Sequence, residues 1–528
     1  MKSGSGGGGG RHAARVAAGI LVTRVLGYVR ERAVAHYIGN GWAADALSVG
    51  QRLANTIRNL LSEGTLSASF IPVYAALNER DERAGRALAG AILGLLLLAA
   101  AALALIGIAF APALTTIFGA GLTGESRALA VSLTRLFFPM SGFMIISAWC
   151  LGILNTHRRF FLPYAAPAIW NVAGIAGLVV TATWLVSPDL PTSVLLTRLS
   201  LALAWGSMAG SVLQVAIQLP ACWRVLHGLP VRWSVGTEGV RDVLLAWGPV
   251  VLGAGVAQIS GLIDTLFGTL AGEGGASSLR YAQLLQVLPI SLFGTSVAAV
   301  SLPDLSRDAQ GATPHEQLRA RIALGFRRIV FFILPSSLAF VALAPVIVRP
   351  LFQTGRFAAA DTELVGGVLA AYGVGLLGQA CVKLFQSGFY ALRDTKTPVK
   401  IASASLALSS GLAYLLMLRF GPAGIALGSS LGATVNVVFH LRDLDARVGA
   451  ILGRTEWRAV AVSLVASGAA AAGGVGAAGL AASAGWGTLG AAALALGIFG
   501  VAYGALTLAF RHPDAIRAWQ SLTGSPAN

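Results

Sequence analysis

The chain alternates long apolar runs with short, mostly basic connections from one end to the other. A membrane-spanning helix needs about 20 mostly apolar residues, and these runs are long enough. We therefore predict about fourteen spans, over residues 13–38, 43–61, 86–118, 127–153, 163–186, 195–222, 242–271, 278–303, 326–352, 364–391, 399–418, 422–441, 458–482 and 486–510. Residues 62–79 are expected to form an amphipathic helix that extends the second span.

The composition indicates the same class of protein. Of 528 residues, 55% are hydrophobic and only 11% are charged, whereas a globular protein carries roughly 25% charged residues. The net charge is +16, but the basic residues lie between apolar runs rather than along one soluble face, so nucleic-acid binding is not expected. Cys150, Cys222 and Cys381 lie far apart in apolar runs and are predicted to be small buried residues.

The basic residues of the connections predict the topology. Lys and Arg concentrate in the cytoplasmic connections of membrane proteins. If the N-terminus is cytoplasmic, most basic residues of the connections also fall on the cytoplasmic side. The outer connections then hold only Arg127, Arg198, Arg349, Arg356 and Arg419. Both termini are therefore expected in the cytoplasm.

Three pairs of segments repeat at similar offsets along the chain. They are Ile153–Pro163 with Phe389–Pro398, Phe70–Pro72 with Ser301–Pro303, and Gly206–Ser207 with Gly428–Ser429. The repeats predict two six-helix lobes with the same membrane orientation. The expected division is a flexible tail 1–12, an N-terminal lobe 13–225, a C-terminal lobe 226–450, two additional helices 451–511 and a cytoplasmic tail 512–528.

Charged residues inside spans are the candidates for function, because each costs about 2.5–3.5 kcal/mol at a helix centre. The first two spans concentrate them: Arg24, Arg30, Glu31, Arg32, Asp45, Arg52, Arg58 and Glu63. Helical spacing places Arg24 and Glu31 on one face, and likewise Arg52, Asn55 and Asn59.

The chemistry of these arginines indicates an anionic cargo. A guanidinium group stays charged and matches phosphate oxygens with two parallel hydrogen bonds. Basic residues outnumber acids in these spans, which favours a phosphate or pyrophosphate group in a cavity. In the alternative interpretation, Arg24, Arg30 and Arg58 pair with the neighbouring acids Glu31, Asp45 and Glu63 and only hold the helices together.

Two further residues are candidates in later spans. Lys383, in the middle of the tenth span, is expected to contribute to binding in the cavity. Two interpretations stay open for Asp264 in the seventh span: it binds a coupling cation or proton, or it is a plain hydrogen-bonding partner. The chain has no GxxxxGK[ST] motif and no connection long enough for a soluble catalytic domain. We expect a transporter rather than an enzyme, with no cofactor or metal beyond a coupling cation or proton gradient.

Several motifs resemble the lipid II flippases of the MurJ/MviN family, in the multidrug/oligosaccharidyl-lipid/polysaccharide exporter superfamily. They are Thr23–Arg30 (TRVLGYVR), Ser62–Gly64 (SEG), Phe70–Val73 (FIPV), Gln353–Phe357 (QTGRF) and Asp394–Lys400 (DTKTPVK). The resemblance covers almost the whole chain in order and weakens after about residue 450.

The resemblance implies an all-α polytopic protein of the bacterial cytoplasmic (inner) membrane, with two six-helix lobes and two C-terminal helices that form a groove for a lipid tail. It implies alternating access that moves lipid II, the undecaprenyl-pyrophosphate-linked peptidoglycan precursor, to the periplasmic leaflet. By motif match, Arg24, Arg30, Asp45 and Arg58 fall on cavity positions of the family, and Glu63 falls on its motif acid. The implied partners are lipid II or a related polyprenyl-pyrophosphate saccharide, membrane lipids and cell-wall synthesis enzymes.

The sequence departs from the family pattern in the eighth span. Tyr281-Ala282 is followed by Gln283-Leu284, where the family has an Asp-Arg pair. Arg280 or Lys383 could replace that arginine. This departure keeps open a flippase for another polyprenyl-linked saccharide and a non-transporting paralogue that acts as a scaffold. A related drug antiporter would need an acidic cavity, and a membrane-embedded glycosyltransferase would need clustered carboxylates; the sequence has neither feature.

Overall fold

The computed structural model describes residues 6–61, 63–187, 189–294 and 314–523, and these residues form helices joined by short connections. The helices are α1 Gly6–Tyr37, α2 Trp42–Leu61, α3 Glu63–Arg80, α4 Glu82–Phe118, α5 Gly124–Thr156, α6 Phe161–Ala165, α7 Pro167–Val180, α8 Thr192–Leu226, α9 Val240–Leu270, α10 Gly275–Pro289, α11 Pro314–Phe352, α12 Ala359–Ala391, α13 Lys396–Val448, α14 Arg454–Ser483, α15 Thr488–Ala509 and α16 Pro513–Thr523. Five-residue π-helical turns continue α7 through Thr181–Leu185 and α10 through Ile290–Gly294.

The prediction of an all-helical polytopic membrane protein is confirmed. Ten helical segments among the described residues are long and apolar enough to cross a membrane. Within the described residues, each predicted span overlaps one helix or half of one, except the span at 163–186, which covers part of α6, all of α7 and the π-helical turn that follows. The spans predicted at 399–418 and 422–441 together form α13, which bends at Gly421. Gly421 adopts φ 57° and precedes Pro422, a pair that interrupts helical geometry.

The chain divides into two compact units. The first comprises residues 1–277 together with Thr354–Arg356, and the second comprises residues 278–353 and 357–528. The whole of α9 therefore packs with the first unit, whereas the expected boundary of the sequence repeat lies before it, at 225/226. The boundaries of the two lobes expected from the repeats stay a prediction.

Each unit has its own apolar core. In the first unit, Trp149 of α5 is fully buried among residues of α3 and α4, and its indole nitrogen donates to the carbonyl of Ala89 at 3.1 Å. In the second unit, Phe331 and Leu343 of α11 pack against alanines of α14 and against Phe499 and Tyr503 of α15. Cys150, Cys222 and Cys381 are buried free thiols, as predicted.

Two of the three sequence repeats have matching local structure. Arg158 and Arg393, which follow α5 and α12, both adopt a left-handed conformation with φ 58°. Both turns close with a hydrogen bond from the residue after the arginine to the carbonyl five residues earlier, at 2.8 and 2.9 Å. Gly206 and Gly428 both lie at close helix contacts, where an added Cβ would approach a backbone atom of the neighbouring segment to 2.4 Å.

The third repeat includes Ser301–Pro303, which lies outside the described residues. At the N-terminus, residues 6–12, expected to be part of a flexible tail, are helical in α1, and residues 1–5 lie outside the described part. At the C-terminus, the expected cytoplasmic tail contains α16.

Candidate functional site

Arg30, one of the predicted cavity arginines, is largely enclosed by protein. Its side chain is 11% exposed, and Nη2 forms an ion pair with Glu31 Oε1 at 2.7 Å. The guanidinium carbon lies 4.1 Å from the ring centroid of Trp170 on α7, a cation–π contact. Nε and Nη1 of Arg30 are buried and have no hydrogen-bond partner within the described residues. Arg30 therefore forms an ion pair, as in the alternative interpretation in which the arginines only hold the helices together. It also has two unused hydrogen-bond donors, as a binding role requires.

Arg24 lies on the exposed side of α1, next to a residue of the packed face. One residue earlier, Thr23 donates a hydrogen bond to the carbonyl of Tyr164 on α6 at 3.0 Å. A step of one residue turns about 100° around the helix, so Arg24 leaves the packed face, and Val25, 51% exposed, lies further round. Arg24 itself is exposed. Ile20 and Leu21, one turn earlier on the same side of the helix, are 39% and 63% exposed, so Arg24 lies on the exposed side of α1.

The predicted polar face of α2 contacts α9. Arg52 Nε donates to Thr265 Oγ1 at 3.3 Å, and Asn59 Nδ2 donates to Gln258 Oε1 at 3.2 Å. These contacts are seven residues apart on each helix and run in opposite directions, so α2 and α9 are antiparallel. Gly261 provides the space for Arg52, because a Cβ there would lie 2.6 Å from its guanidinium carbon.

Arg58 lies at the end of α2 and contacts α5 instead. Its Nη1 lies 3.0 Å from Met144 Sδ, and its Nη2 is 3.4 Å from Asn59 Oδ1. Both acceptors are uncharged, and thioether sulfur is a weak acceptor.

Asp45 makes a different set of contacts from the arginines. It is 2% exposed. Oδ2 accepts from the backbone amide of Gly274 at 2.7 Å, and Oδ1 accepts from the amide of Ser277 at 2.8 Å, with Ser277 Oγ at 2.9 Å. Among the described residues it forms no ion pair with an arginine. Asp45 therefore fastens the start of α2 to Gly274, which precedes α10, and to Ser277 in the first turn of α10.

The three central residues of the QTGRF motif, Thr354–Arg356, belong to the first unit and pack there against the end of α1. The amide of Arg356 donates to the carbonyl of His36 at 2.9 Å, and Thr354 Oγ1 lies 2.9 Å from His36 Nδ1. Gly355 has φ +55°, and a Cβ there would lie 2.3 Å from the His36 carbonyl oxygen. Only glycine fits both the conformation and the space.

Three further predicted residues lie on α9, α12 and α3. Asp264 is half-buried on α9 of the first unit. Lys383 is exposed on α12 of the second unit. The side chain of Glu63 lies outside the part of the chain whose side chains the structure describes, although its backbone begins α3.

The departure from the family pattern lies on α10. Leu284 is half-buried beside Gln283, whose amide nitrogen donates to Tyr372 Oη at 3.0 Å. Arg280 lies with its guanidinium carbon 4.7 Å from the ring centroid of Tyr281.

The residues that contact Arg30, Asn59, Arg52 and Trp42 were not identified from the sequence. Trp170, Gln258 and Thr265 carry no charge and match no motif, and Glu273, whose Oε1 accepts from the amide of Trp42 at 3.1 Å, lies in a connection. Polar residues inside the otherwise apolar α9 were the one available signal, and only Asp264 was selected from them.

The family model described as "Lipid II flippase MurJ" matches residues 34–499. The chain belongs to the lipid II flippase MurJ family. It is 35% identical over 434 residues to the lipid II flippase MurJ of Burkholderia cenocepacia, covering 81% of this chain and 82% of that protein. It is 30% identical over 439 residues to the probable lipid II flippase MurJ of Haemophilus influenzae, covering 80% and 84%.

Solved structures confirm the fold. A lipid II flippase MurJ in an inward closed conformation matches with a TM-score of 0.73 at 21% identity, covering 93% of this chain and 98% of that one. An inward-facing multidrug resistance MATE family transporter of the MOP superfamily matches with a TM-score of 0.66 at 17% identity, covering 81% and 95%. The predicted family is thus confirmed, and the chain is a multi-pass bacterial inner-membrane protein of a transporter family.

Proposed function

We propose that this protein is a lipid II flippase that moves the undecaprenyl-pyrophosphate-linked peptidoglycan precursor from the cytoplasmic to the periplasmic leaflet by alternating access. The family match over residues 34–499 supports the cargo. Within the structure, Arg30 carries the proposal, because a charged side chain with two buried, unused donors is costly in a membrane span unless a ligand uses them.

The roles of the site residues follow from their contacts. Arg30 and Arg24 on α1, with Arg58 on α2, would neutralise the pyrophosphate, and Arg52 would hold α9 against α2 along the same polar face. Asp45 would keep the outer end of α2 closed in one state of the cycle and release Gly274 and Ser277 in the other. No covalent step is required, so the protein's task is binding and conformational exchange.

The distribution of Lys and Arg supports an orientation with both termini in the cytoplasm. Coupling to a cation gradient or to the membrane potential would bias the cycle, since one charge crossing 100 mV is worth about 2.3 kcal/mol. Asp264, half-buried on α9, is the residue we propose for that coupling.

Depletion of the protein in its own host tests the function. Lipid II exposed on the outer leaflet should fall as the protein is depleted and recover when the wild-type chain is expressed again. Normal outer-leaflet exposure in depleted cells that lack another lipid II flippase would reject the proposal. Expression of a Leu284→Arg variant in parallel tests whether the departure from the family pattern on α10 limits transport. We expect lipid II transport by this variant to rise or stay equal.

A further inference from the structure

A basic cavity lies where α14 begins and α15 ends, in the second unit and outside the cargo site proposed above. Its volume is about 260 Å³. Its lining includes Arg454 and Arg458 of α14 and Arg511 from the turn after α15, together with the apolar side chains of Val462 and Phe510. One end of the cavity is thus strongly cationic, and its wall is apolar.

The three arginines have no acidic partner there. Within the described residues, none of them forms an ion pair, and no carboxylate lines the cavity. The nearest acids in sequence are otherwise engaged, because Glu456 accepts from the amide of Gly453 at 3.0 Å and Asp514 forms an ion pair with Arg327 at 2.8 Å. Three like charges around one space repel each other, and an anion in that space relieves the repulsion.

The surroundings place this cavity at the depth of lipid headgroups. Trp457, near the start of α14, is 58% exposed, and Phe510, directly after the end of α15, is 46% exposed. Exposed aromatic residues at the ends of spans mark the membrane–water interface. Basic pockets between spans at that depth bind the headgroups of anionic lipids.

We propose that this cavity binds the headgroup phosphate of an anionic phospholipid, such as phosphatidylglycerol. The guanidinium groups of Arg454, Arg458 and Arg511 hold the phosphate, and the acyl chains leave along the apolar side formed by Val462 and Phe510. The volume suits a phosphate with a glycerol unit and is too small for a disaccharide-pentapeptide head group. The bound lipid therefore fastens the start of α14 to the end of α15 without taking part in cargo transport.

The test measures the thermal stability of the full-length protein in nanodiscs. Replacing part of a phosphatidylcholine bilayer by phosphatidylglycerol should raise the unfolding midpoint by about 3–5 °C if the lipid is present at well above its dissociation constant. The triple variant Arg454→Gln, Arg458→Gln, Arg511→Gln should lose most of that shift. The control triple variant Arg224→Gln, Arg241→Gln, Arg442→Gln removes the same charge from exposed positions outside the cavity and should retain it.

A second variant keeps the charges and fills the space. Val462→Trp should also abolish the phosphatidylglycerol shift while leaving all arginines in place, so the test does not depend on the folding of the triple variant. The absence of a shift in the wild type, or an equal loss in both triple variants, would overturn the proposal. So would an equal stabilisation by inorganic phosphate in phosphatidylcholine discs, which would assign the cavity to a soluble anion.

Discussion

The first two helices and the last two spanning helices, α14 and α15, use arginine in opposite ways. In α1 and α2, charged side chains occur along the spans, and those whose contacts are described meet side chains or backbone of other segments: Arg30 meets Trp170, Arg52 meets Thr265, and Asp45 meets Ser277. In α14 and α15, the sequence between Arg458 and Arg511 contains no charged residue. The arginines of that pair lie only at the ends.

The difference follows from the surroundings of the arginines, which are apolar inside a span and aqueous at its ends. A charge inside a span costs several kcal/mol unless protein groups or a ligand replace its water. In α1 and α2 that replacement is incomplete, because two donors of Arg30 are left over. At the ends of α14 and α15, water and lipid headgroups are available, so charges need no protein partner there. We therefore expect arginine inside the span to bind the cargo and arginine at the end to contact the membrane surface.

The largest expected effect is on transport. Arg30→Ala should lower lipid II translocation at least about tenfold, and Arg30→Lys should restore little, because an ammonium group lacks the planar fork and the stacking on Trp170. Outer-leaflet lipid II in cells that depend on the variant measures this. As a control, Arg349→Ala removes an exposed arginine 3.7 Å from Glu363 and should leave transport unchanged. Normal transport by Arg30→Ala would show that arginines inside spans and at span ends are equivalent.

A large effect on stability is expected where the C-terminal helices meet α11. Arg327 and Asp514 form an ion pair at 2.8 Å, with side chains 11% and 7% exposed. Arg327→Ala leaves a buried carboxylate without its main partner and should cost about 3–5 kcal/mol of the free energy of unfolding. Arg517→Ala removes an exposed arginine 3.7 Å from the same carboxylate and should cost less than about 1 kcal/mol. Denaturant unfolding in micelles compares the two, and equal costs would contradict the distinction between buried and exposed arginine.

A smaller loss of stability is expected at Asp45. Asp45→Ala leaves the buried amides of Gly274 and Ser277 without an acceptor, which should cost about 1–3 kcal/mol. Thermal unfolding in detergent measures the loss. Glu363→Ala, at an exposed position, is the control and should change the midpoint little. If Asp45→Ala proves as stable as the control, the three hydrogen bonds do not hold the start of α2.

The smallest effect is a pH dependence at the C-terminal end. His512 lies in the connection between α15 and α16, and burial lowers its pKa, a shift that nearby Arg327 adds to and Asp514 opposes. A lowered folded-state pKa means that stability is complete above the unfolded value of about 6.5 and is lost as the pH falls below it.

The variant His512→Phe keeps the ring that stacks on Phe331 at 5.0 Å and removes the titration. The drop in unfolding midpoint between pH 7.5 and pH 5.5 should shrink by an amount corresponding to about 1 kcal/mol or less. His315→Phe, at an exposed position, should leave the drop unchanged. An unaltered drop in His512→Phe would mean that this histidine does not set the acid sensitivity.

The spans and the candidate arginines could be predicted because both depend on local sequence. A run of apolar residues predicts a helix wherever it folds, and a charge inside the run is visible without its partner. The pairing of α2 with α9 could not be predicted, because the hydrogen-bond partners of Thr265 and Gln258 lie about two hundred residues earlier in the chain. The same reason explains why Trp170 was not connected to Arg30.

The most direct test of the central claim compares two ligands and two proteins. The affinity of the purified full-length protein for lipid II and for undecaprenol, which lacks the pyrophosphate, is measured by native mass spectrometry for the wild type and for Arg30→Gln. A guanidinium that binds the pyrophosphate should give the wild type a preference for lipid II that falls by roughly 10- to 100-fold in the variant. An identical preference in both proteins would contradict the assignment of Arg30 to the cargo.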